Sequence, residues 1–361
     1  MNKLAELKHH IVVHARGQQI AGLDTLLARI DAESGDGPGS WPYEWGRRAE
    51  ELADRGRLVD AARHFAIARF PYVDGPQRQH AQDRCVATFE RWRAEHDIER
   101  LDLPLSAGRV RCWATGLSAA RPRPVLLMMG GIVTIKEQWG PTLPFFGKAG
   151  FATVVTEMPG TGENEQTYGP RSWRMIPELL DRIADRADVD RTYVTALSFA
   201  GHMALRAAAD DPRVAGVVTA GAPVRAFFHD RTWLAGLPDI TTDTLAHLTR
   251  TTWDDLVDGF AGWALSDEQL TAVRVPVAYV VSRRDEIIPP AEIADLRRHL
   301  RDLDSIENDD THGSPNHATS SRLWTVAAVL RMRGDRDLRR AVVSALAGTA
   351  RIGARLRRRS G

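Results

Sequence analysis

The chain has 361 residues, of which 43% are hydrophobic and 26% charged, as expected for a globular protein of one large domain or two unequal ones. Its formal net charge of +1 excludes a global electrostatic field that would attract nucleic acid or an anionic membrane. Two cysteines, Cys85 and Cys112, are too few for a disulfide framework. Because we find no signal-peptide pattern and no apolar run long enough to span a membrane, we expect a cytoplasmic protein.

Residues 1–100 predict a helical N-terminal cap domain. Apolar residues recur at helical spacing in four stretches, at about 23–30, 45–53, 58–70 and 76–96. Short helix pairs of this kind also occur in tetratricopeptide repeats. No second copy follows at a fixed period, which favours a single accessory domain.

Residues 101–334 predict an α/β core, because short apolar runs alternate there with helical segments at about 141–148, 173–186 and 198–209. A half-exposed strand over Val110–Ala114 comes first, and a short strand near 305–307 comes last. Between them lie five compact apolar runs, typical of strands covered on both faces: Val125–Met129, Thr153–Thr156, Tyr193–Ala196, Val214–Thr219 and Val277–Val281. The alternation predicts a doubly wound, mostly parallel sheet.

Two segments depart from this alternation. Residues 224–273 form an interruption rich in Trp, Phe and Thr, too long for a plain connection, which we interpret as a cap-like insertion over the C-terminal edge of the sheet. Residues 335–361 are basic and amphipathic. They predict a C-terminal helix or tail, for which a solvated helix is favoured over one that contacts a membrane or a partner.

The stretch Tyr193–His202 carries the sharpest local signal of a nucleophile. An apolar run ends at Ser198, small residues flank this serine and a helical pattern follows, as the strained strand-to-helix turn of an exposed nucleophile requires. The usual G-x-S-x-G pattern is replaced by alanines at Ala196 and Ala200, with Gly201 next. Alanine is small enough to fit, but a serine that only caps the helix is an equally open alternative.

Two glycines directly follow the predicted strand Val125–Met129. Gly130 and Gly131 would let the backbone turn its N–H groups toward a developing oxyanion, and the Phe199 N–H would complete a two-donor hole. A simple turn is the alternative interpretation.

An acidic residue and a histidine follow the last predicted strands. Asp285 is suited to orient an imidazole, with Glu286 as the adjacent alternative and a solvated acidic loop as the other interpretation. His312 lies on the loop where a base is expected, while the competing His317 is expected to begin the next helix. The order Ser198, Asp285, His312 is that of the triad in α/β-hydrolases.

Together these motifs resemble the FrsA-like branch of the α/β-hydrolases. That branch includes 2,6-dihydroxypseudooxynicotine hydrolase and the yellowish-green-type polyketide-shortening hydrolases of fungal pigment pathways. The resemblance covers about residues 40–332. It rests on the motifs Gly130–Glu137, Glu157–Glu163, the Ser198 turn, Asp285–Pro289, and His312 with Asn316.

The resemblance implies a triad of Ser198, Asp285 and His312, with the backbone amides of Ile132 and Phe199 as oxyanion donors. Four positions depart from the family: Val133 stands in place of an acidic residue, Glu157 of an aspartate, and Ala196 and Ala200 of glycines. Val133 adjoins the expected oxyanion loop, so the substrate is expected to differ from those of the relatives.

The implied reaction is cleavage of an ester, or of a carbon–carbon bond beside a ketone, in a small aromatic or polyketide-like metabolite. An acyl-eliminating lyase or an acyltransferase of secondary metabolism is the first alternative. A non-catalytic binding protein is the second, and the presence of all three triad residues in order disfavours it. We expect Phe227, Phe228 and Trp233, together with Val133, to line the substrate pocket, although aromatic packing between cap and sheet is equally open.

No metal cluster, dinucleotide-binding glycine pattern, P-loop or nucleic-acid motif appears in the sequence. We therefore expect no metal, no cofactor and no nucleic-acid or membrane partner, only a small-molecule substrate. The sequence leaves the identity of that substrate open, and it leaves the oligomeric state open, a homodimer included.

Overall fold

The computed structural model of the protein describes residues 3–334, so the predicted tail at 335–361 lies outside the described residues. Its centre is one sheet of eight strands: β1 (Glu99–Leu105), β2 (Gly108–Thr115), β3 (Pro124–Met129), β4 (Ala152–Thr156), β5 (Asp188–Ala196), β6 (Val214–Ala220), β7 (Val277–Ser282) and β8 (Leu303–Asn308). Across the sheet they lie in the order β1-β2-β4-β3-β5-β6-β7-β8. β1 pairs antiparallel with β2 and β2 antiparallel with β4, while all other neighbours are parallel.

Helices cover both faces of this sheet, which explains why its central strands are continuous apolar runs. Along β3, Val125, Leu127 and Met129 enter one apolar cluster, and Leu126 and Met128 enter a second cluster on the opposite face. Outside the segment between β6 and β7, the α-helices that follow β3 are α6 (Leu143–Lys148), α7 (Met175–Ile183), α8 (Phe199–Asp210), α14 (Ala291–His299) and α15 (Ala318–Met332). The predicted α/β class with a doubly wound, mostly parallel sheet is confirmed.

The parallel register brings the carboxyl ends of the central strands together. Met129 at the end of β3 pairs with Ala196 at the end of β5, and Ala220 of β6 pairs with Val280 of β7. The loops that follow these strands therefore leave the sheet at one edge, where ligands bind in open α/β sheets. All the predicted triad residues lie on loops at this edge.

Five helices precede the first strand: α1 (Lys3–Gly17), α2 (Leu23–Leu27), α3 (Trp41–Asp54), α4 (Leu58–Ala68) and α5 (Pro76–Arg93). The helix α1 packs its apolar side into a cluster of its own that includes Leu7, Ile11, Trp41 and Phe70. The helix α5 ends at Arg93 and β1 begins at Glu99, so the boundary of the cap that we placed at residue 100 lies just inside the first strand. The division into domains stays a prediction.

Between β6 and β7, five short helices occupy the predicted insertion at 224–273. They are α9 (Ala226–His229), α10 (Arg231–Leu234), α11 (Asp239–Thr249), α12 (Trp253–Gly259) and α13 (Asp267–Ala272). Within residues 3–334, no helix has the length and apolar character needed to cross a bilayer.

Candidate active site

Ser198 stands on a sharp turn between β5 and α8. Its backbone adopts φ 54° and ψ −130°, a conformation that L-residues rarely take and that is typical of strained functional positions. The Ser198 N–H donates to the Ala220 carbonyl at 2.8 Å, which ties the turn to the end of β6. Its side chain makes no capping hydrogen bond to α8, so the geometry does not favour the simple N-cap interpretation.

The residues around this turn must be small. A Cβ built on Gly201 would lie 2.1 Å from Thr219 Oγ1, and one built on Gly131 would lie 3.1 Å from Ser198 Cβ. The alanines at Ala196 and Ala200 are fully buried, and their methyl groups are accommodated where the family usually has glycine.

His312 and Asp285 form a hydrogen-bonded pair at the same edge of the sheet. The Nδ1 of His312 lies 2.9 Å from each carboxylate oxygen of Asp285. Asp285 Oδ1 also accepts the backbone N–H groups of Ile287 and Ile288, which fixes the carboxylate in place. Glu286, the alternative acid, accepts the backbone N–H of His312 at 3.0 Å instead of contacting the ring.

This pairing sets the protonation behaviour of His312. Burial disfavours the imidazolium, but the charge of Asp285 and its hydrogen bond outweigh burial, and Glu286 adds to them. The pKa of His312 is therefore raised above its ordinary value of 6.5. In the neutral ring, Nδ1 donates to Asp285, which leaves Nε2 free to accept a proton.

Gly221 brings this pair next to the serine turn. Its φ of 55° is in the left-handed region, and a Cβ there would lie 2.7 Å from His312 Cε1 and 3.4 Å from Asp285 Oδ2. Because Gly221 directly follows Ala220, whose carbonyl accepts the Ser198 N–H, the imidazole lies next to the chain segment that holds the serine.

Two backbone amides near Ser198 are unused. The N–H groups of Ile132 and Phe199 donate a hydrogen bond to no group within residues 3–334. The Ile132 loop is held from both sides, since Thr161 Oγ1 donates to the Ile132 carbonyl at 3.1 Å and the Thr134 N–H donates to the Gly131 carbonyl at 3.1 Å. Free amides on a fixed loop are suited to stabilise a developing oxyanion.

A buried network of charged side chains holds the residues that directly follow the same loop. The fully buried Lys136 ammonium lies 2.8 Å from Glu137, 3.4 Å from Glu157 and 2.7 Å from Glu163. Glu157 Oε1 also accepts the Lys136 backbone N–H at 3.1 Å. Burial raises the pKa of Glu157 to about 7. Removing one member would leave its partners buried and unpaired, so this network fixes the path of the loop strongly.

The predicted pocket residues take up different positions. Phe227 and Phe228 are 0% and 3% exposed, and Phe227 packs edge-on against Phe199 with ring centroids 5.3 Å apart. That burial leaves them little surface to offer a ligand and fits the packing interpretation. Trp233 is half-buried and donates its Nε1–H to the Ile287 carbonyl at 2.8 Å, and Val133 is also half-buried. Substrate contact stays a prediction for all four.

His317, the competing base, has a different partner. Its Nδ1 lies 2.8 Å from Asp310 Oδ2, and the same carboxylate accepts the backbone N–H of Asn316 at 2.8 Å. These contacts close the loop that carries His312. His202, by contrast, is buried with its Nε2 2.8 Å from the Trp263 carbonyl.

The helix α1 contributes to the site in a way that the sequence did not predict. Gly313, next to His312, lies so close to this helix that a Cβ on it would be 2.8 Å from Val13 Cγ1. His14 follows Val13, and burial lowers its pKa to about 3, with the charges of His10, His312 and Arg69 acting in the same direction. The spacing of His10 and His14 placed both on one helix face, but nothing in that pattern indicated where the helix docks.

Within residues 3–334, no group of three or more His, Cys, Asp or Glu side chains is arranged to hold a metal ion. Cys85 and Cys112 are free thiols, both buried. Burial raises the pKa of Cys112 to about 12, so it is not activated as a nucleophile.

Comparison with known proteins gives the family. The model of the alpha/beta hydrolase fold matches residues 124–272. A solved structure described as AbyA5 Wildtype is 53% identical, covers 96% of this chain and 99% of its own, and superposes with a TM-score of 0.92. Esterase FrsA of Photobacterium profundum is 22% identical over 72% of this chain and 68% of its own length. This chain belongs to the FrsA-like α/β-hydrolases.

As an FrsA-like α/β-hydrolase, the chain is an enzyme, and its family was correctly predicted from the motifs. The crystal structure of 2,6-dihydroxy-pseudo-oxynicotine hydrolase, 18% identical over 88% of this chain and 96% of its own, superposes with a TM-score of 0.69 and supports the fold alone.

Proposed function

We propose that this hydrolase cleaves an ester, or a carbon–carbon bond beside a ketone, in a small aromatic or polyketide-like metabolite. In this proposal Ser198 is the nucleophile, His312 the base and Asp285 the orienting carboxylate. One observation carries it: the strained serine turn is hydrogen-bonded to the strand end from which Gly221 leads directly to the His312–Asp285 pair.

The geometry suggests the order of steps. Neutral His312 accepts the Ser198 hydroxyl proton on Nε2 as Oγ attacks the substrate carbonyl, and Asp285 stabilises the imidazolium through Nδ1–H. The carbonyl oxygen becomes an anion that the amides of Ile132 and Phe199 stabilise. The imidazolium then gives its proton to the leaving alkoxide or enolate, and water, activated by the same histidine, releases the acyl group from the serine.

A fluorophosphonate probe tests this assignment without knowledge of the substrate. We expect a single adduct on Ser198, located by mass spectrometry of the digested protein. Its rate of formation should rise with pH, with a midpoint above 6.5, because only neutral His312 can accept the hydroxyl proton and Asp285 raises its pKa. Asp285→Asn should move the midpoint to lower pH. Labelling elsewhere, or a rate independent of pH, would contradict the proposal.

A second candidate is elimination or transfer of an acyl group, in which water must not reach the reacting bond. Two observations favour it. Val133 carries no polar group beside the Ile132 loop, and it packs against both the sheet core and the α1 cluster. Val13 of α1 approaches Gly313, next to His312, which places this helix over the loop of the candidate base. In elimination, His312 would take a proton from carbon, the electron pair left behind would form a C=C bond, and the acyloxy group on the adjacent carbon would leave as a carboxylate.

Val133→Asp separates the two candidates. An acidic side chain could orient water or bind a substrate hydroxyl, so we expect it to raise the ratio of hydrolysed to eliminated product, or to shift preference toward hydroxylated substrates. Product ratios from acylated and β-diketone polyketide fragments, measured by mass spectrometry, give the answer. Val133→Ala is the control, because it loses the same packing without adding polarity. An unchanged ratio and preference in a folded Val133→Asp protein would exclude any effect of position 133 on the chemistry.

A further inference from the structure

Arg69, directly after α4, is a buried arginine whose charge has no carboxylate partner within residues 3–334. The residue is 1% exposed. Its Nε donates to Gln82 Oε1 at 3.1 Å, and its Nη1 donates to the carbonyls of Pro71 at 3.2 Å and Val133 at 3.0 Å. All three acceptors are neutral. Among residues 3–334, Nη2 of Arg69 donates no hydrogen bond to any group, and the guanidinium forms no ion pair.

The carboxylates nearest in charge effect to Arg69 already form ion pairs with another side chain. Glu157 and Glu137 favour the charged form of Arg69 from a distance, but their carboxylates pair with the Lys136 ammonium. Burial lowers the pKa of Arg69 to about 10, so the side chain still carries its charge at neutral pH. Because a desolvated charge without a counterion is costly, an anion that approached Arg69 would be strongly favoured.

Arg69 is positioned at the candidate active site. The Val133 carbonyl that it holds lies two residues beyond Gly131, where a Cβ would touch Ser198. The guanidinium is thus attached to the loop that carries the free Ile132 amide. Two nitrogens of the guanidinium, Nε and Nη1, are held by these acceptors, so its position relative to the loop is fixed before a ligand binds.

His14 of α1 lies beside Arg69. Its ring packs on Phe70, the neighbour of Arg69, with centroids 5.2 Å apart. The positive charges of Arg69 and His312 both act on it. Its ring nitrogens make no hydrogen bond to any residue in the described range 3–334, so the neutral imidazole of His14 has an unused donor near Arg69 and His312.

We propose that Arg69, with His14 beside it, binds an anionic oxygen of the substrate: a carboxylate, or the ionised enol of a β-dicarbonyl group. A guanidinium matches such an oxygen in charge and geometry, and the imidazole N–H supplies a second donor. The bound anion would give Arg69 the counterion that the protein itself does not provide. This inference rests on the proposed function only in taking the Ser198 site as the place where the substrate binds.

Equilibrium binding of two probe pairs to the full-length protein at neutral pH tests the proposal. Phenylacetate is compared with phenylacetamide, and dimedone, which is mainly an enolate at this pH, with the neutral 3,3-dimethylcyclohexanone. We expect at least one anion to bind about tenfold or more tightly than its neutral analogue, by titration calorimetry or ligand-observed NMR. The pair that shows this preference identifies the class of oxygen, carboxylate or enolate.

Variants separate a binding role from a structural one. Arg69→Met should abolish the preference for the anion, and His14→Phe should weaken anion binding about threefold or more. Arg78→Met is the matched control: Arg78 is also buried in the helical cap, but it pairs with Asp74, so its loss should leave the preference intact. If Arg69→Met does not fold, Arg69→Lys decides, because losing the planar fork should weaken the anion at least threefold and leave the neutral analogue unchanged.

No anion preference in the wild-type protein, or a preference that survives either Arg69 variant undiminished, would overturn the inference. Ser198→Ala should bind the probes as the wild type does, because binding needs no nucleophile. The anion preference can therefore be present even if the proposed reaction at Ser198 is absent. The reaction at Ser198 can likewise be present without any anion preference, and the two experiments distinguish these outcomes.

Discussion

Ser198→Ala and His312→Ala are each expected to lower turnover by about a thousandfold or more without loss of folding. In the proposed triad the hydroxyl, the imidazole and the carboxylate act as a unit, so that removing one makes the others ineffective. Asp285→Asn should also be severe, because an amide can accept from or donate to Nδ1 and so favours the wrong tautomer of His312. Turnover of a fluorogenic ester, with circular dichroism as the folding check, measures these effects.

His317→Ala provides the matched histidine control for this series. His317 bonds to Asp310 in the same loop, so its loss should cost stability and only a modest part of the activity. An inactive His317→Ala protein beside an active His312→Ala protein would show that the base is assigned wrongly. A Ser198→Ala protein that keeps its activity would favour elimination, in which the serine need not be acylated.

The arrangement of the sheet could be predicted because burial leaves a direct mark on the sequence. Strands covered on both faces must be apolar at every position, and Val125–Met129 and Val277–Val281 show this plainly. The first strand, β1, was missed because it lies at the edge of the sheet, where polar residues alternate with Leu and Pro104 is tolerated.

Much of the candidate site was also accessible from the sequence. Parallel strands end at one edge, so a serine, an aspartate and a histidine that each follow a strand were expected to meet there, and His312 does lie against Asp285. Arg69 and His14 were not predicted. Each lies on a helix or at its end, where apolar spacing indicates burial but not the loop that is contacted, and that information exists only in the packed tertiary structure.

The glycine at position 221 offers a sharp test of the geometry. A methyl group there would lie 3.0 Å from His312 Nδ1 and 2.7 Å from its Cε1, and the second distance is closer than real Cβ contacts, so the imidazole must move away from Asp285 or from the serine. We expect Gly221→Ala to lower the catalytic efficiency about a hundredfold, the cost of displacing a catalytic group by roughly 1 Å. Its φ of 55° also adds about 1–2 kcal/mol of backbone strain to any alanine.

Gly56→Ala separates the strain from the steric effect. Gly56 also has a left-handed backbone, with φ 73°, but a Cβ there meets nothing within 4 Å. Gly221→Ala should therefore lose at least as much unfolding free energy as Gly56→Ala in a denaturant titration, and only Gly221→Ala should slow fluorophosphonate labelling at Ser198. Because that labelling depends on His312 accepting the serine proton, equal labelling rates in the two variants would mean that His312 does not act on Ser198 from the position it occupies beside Gly221.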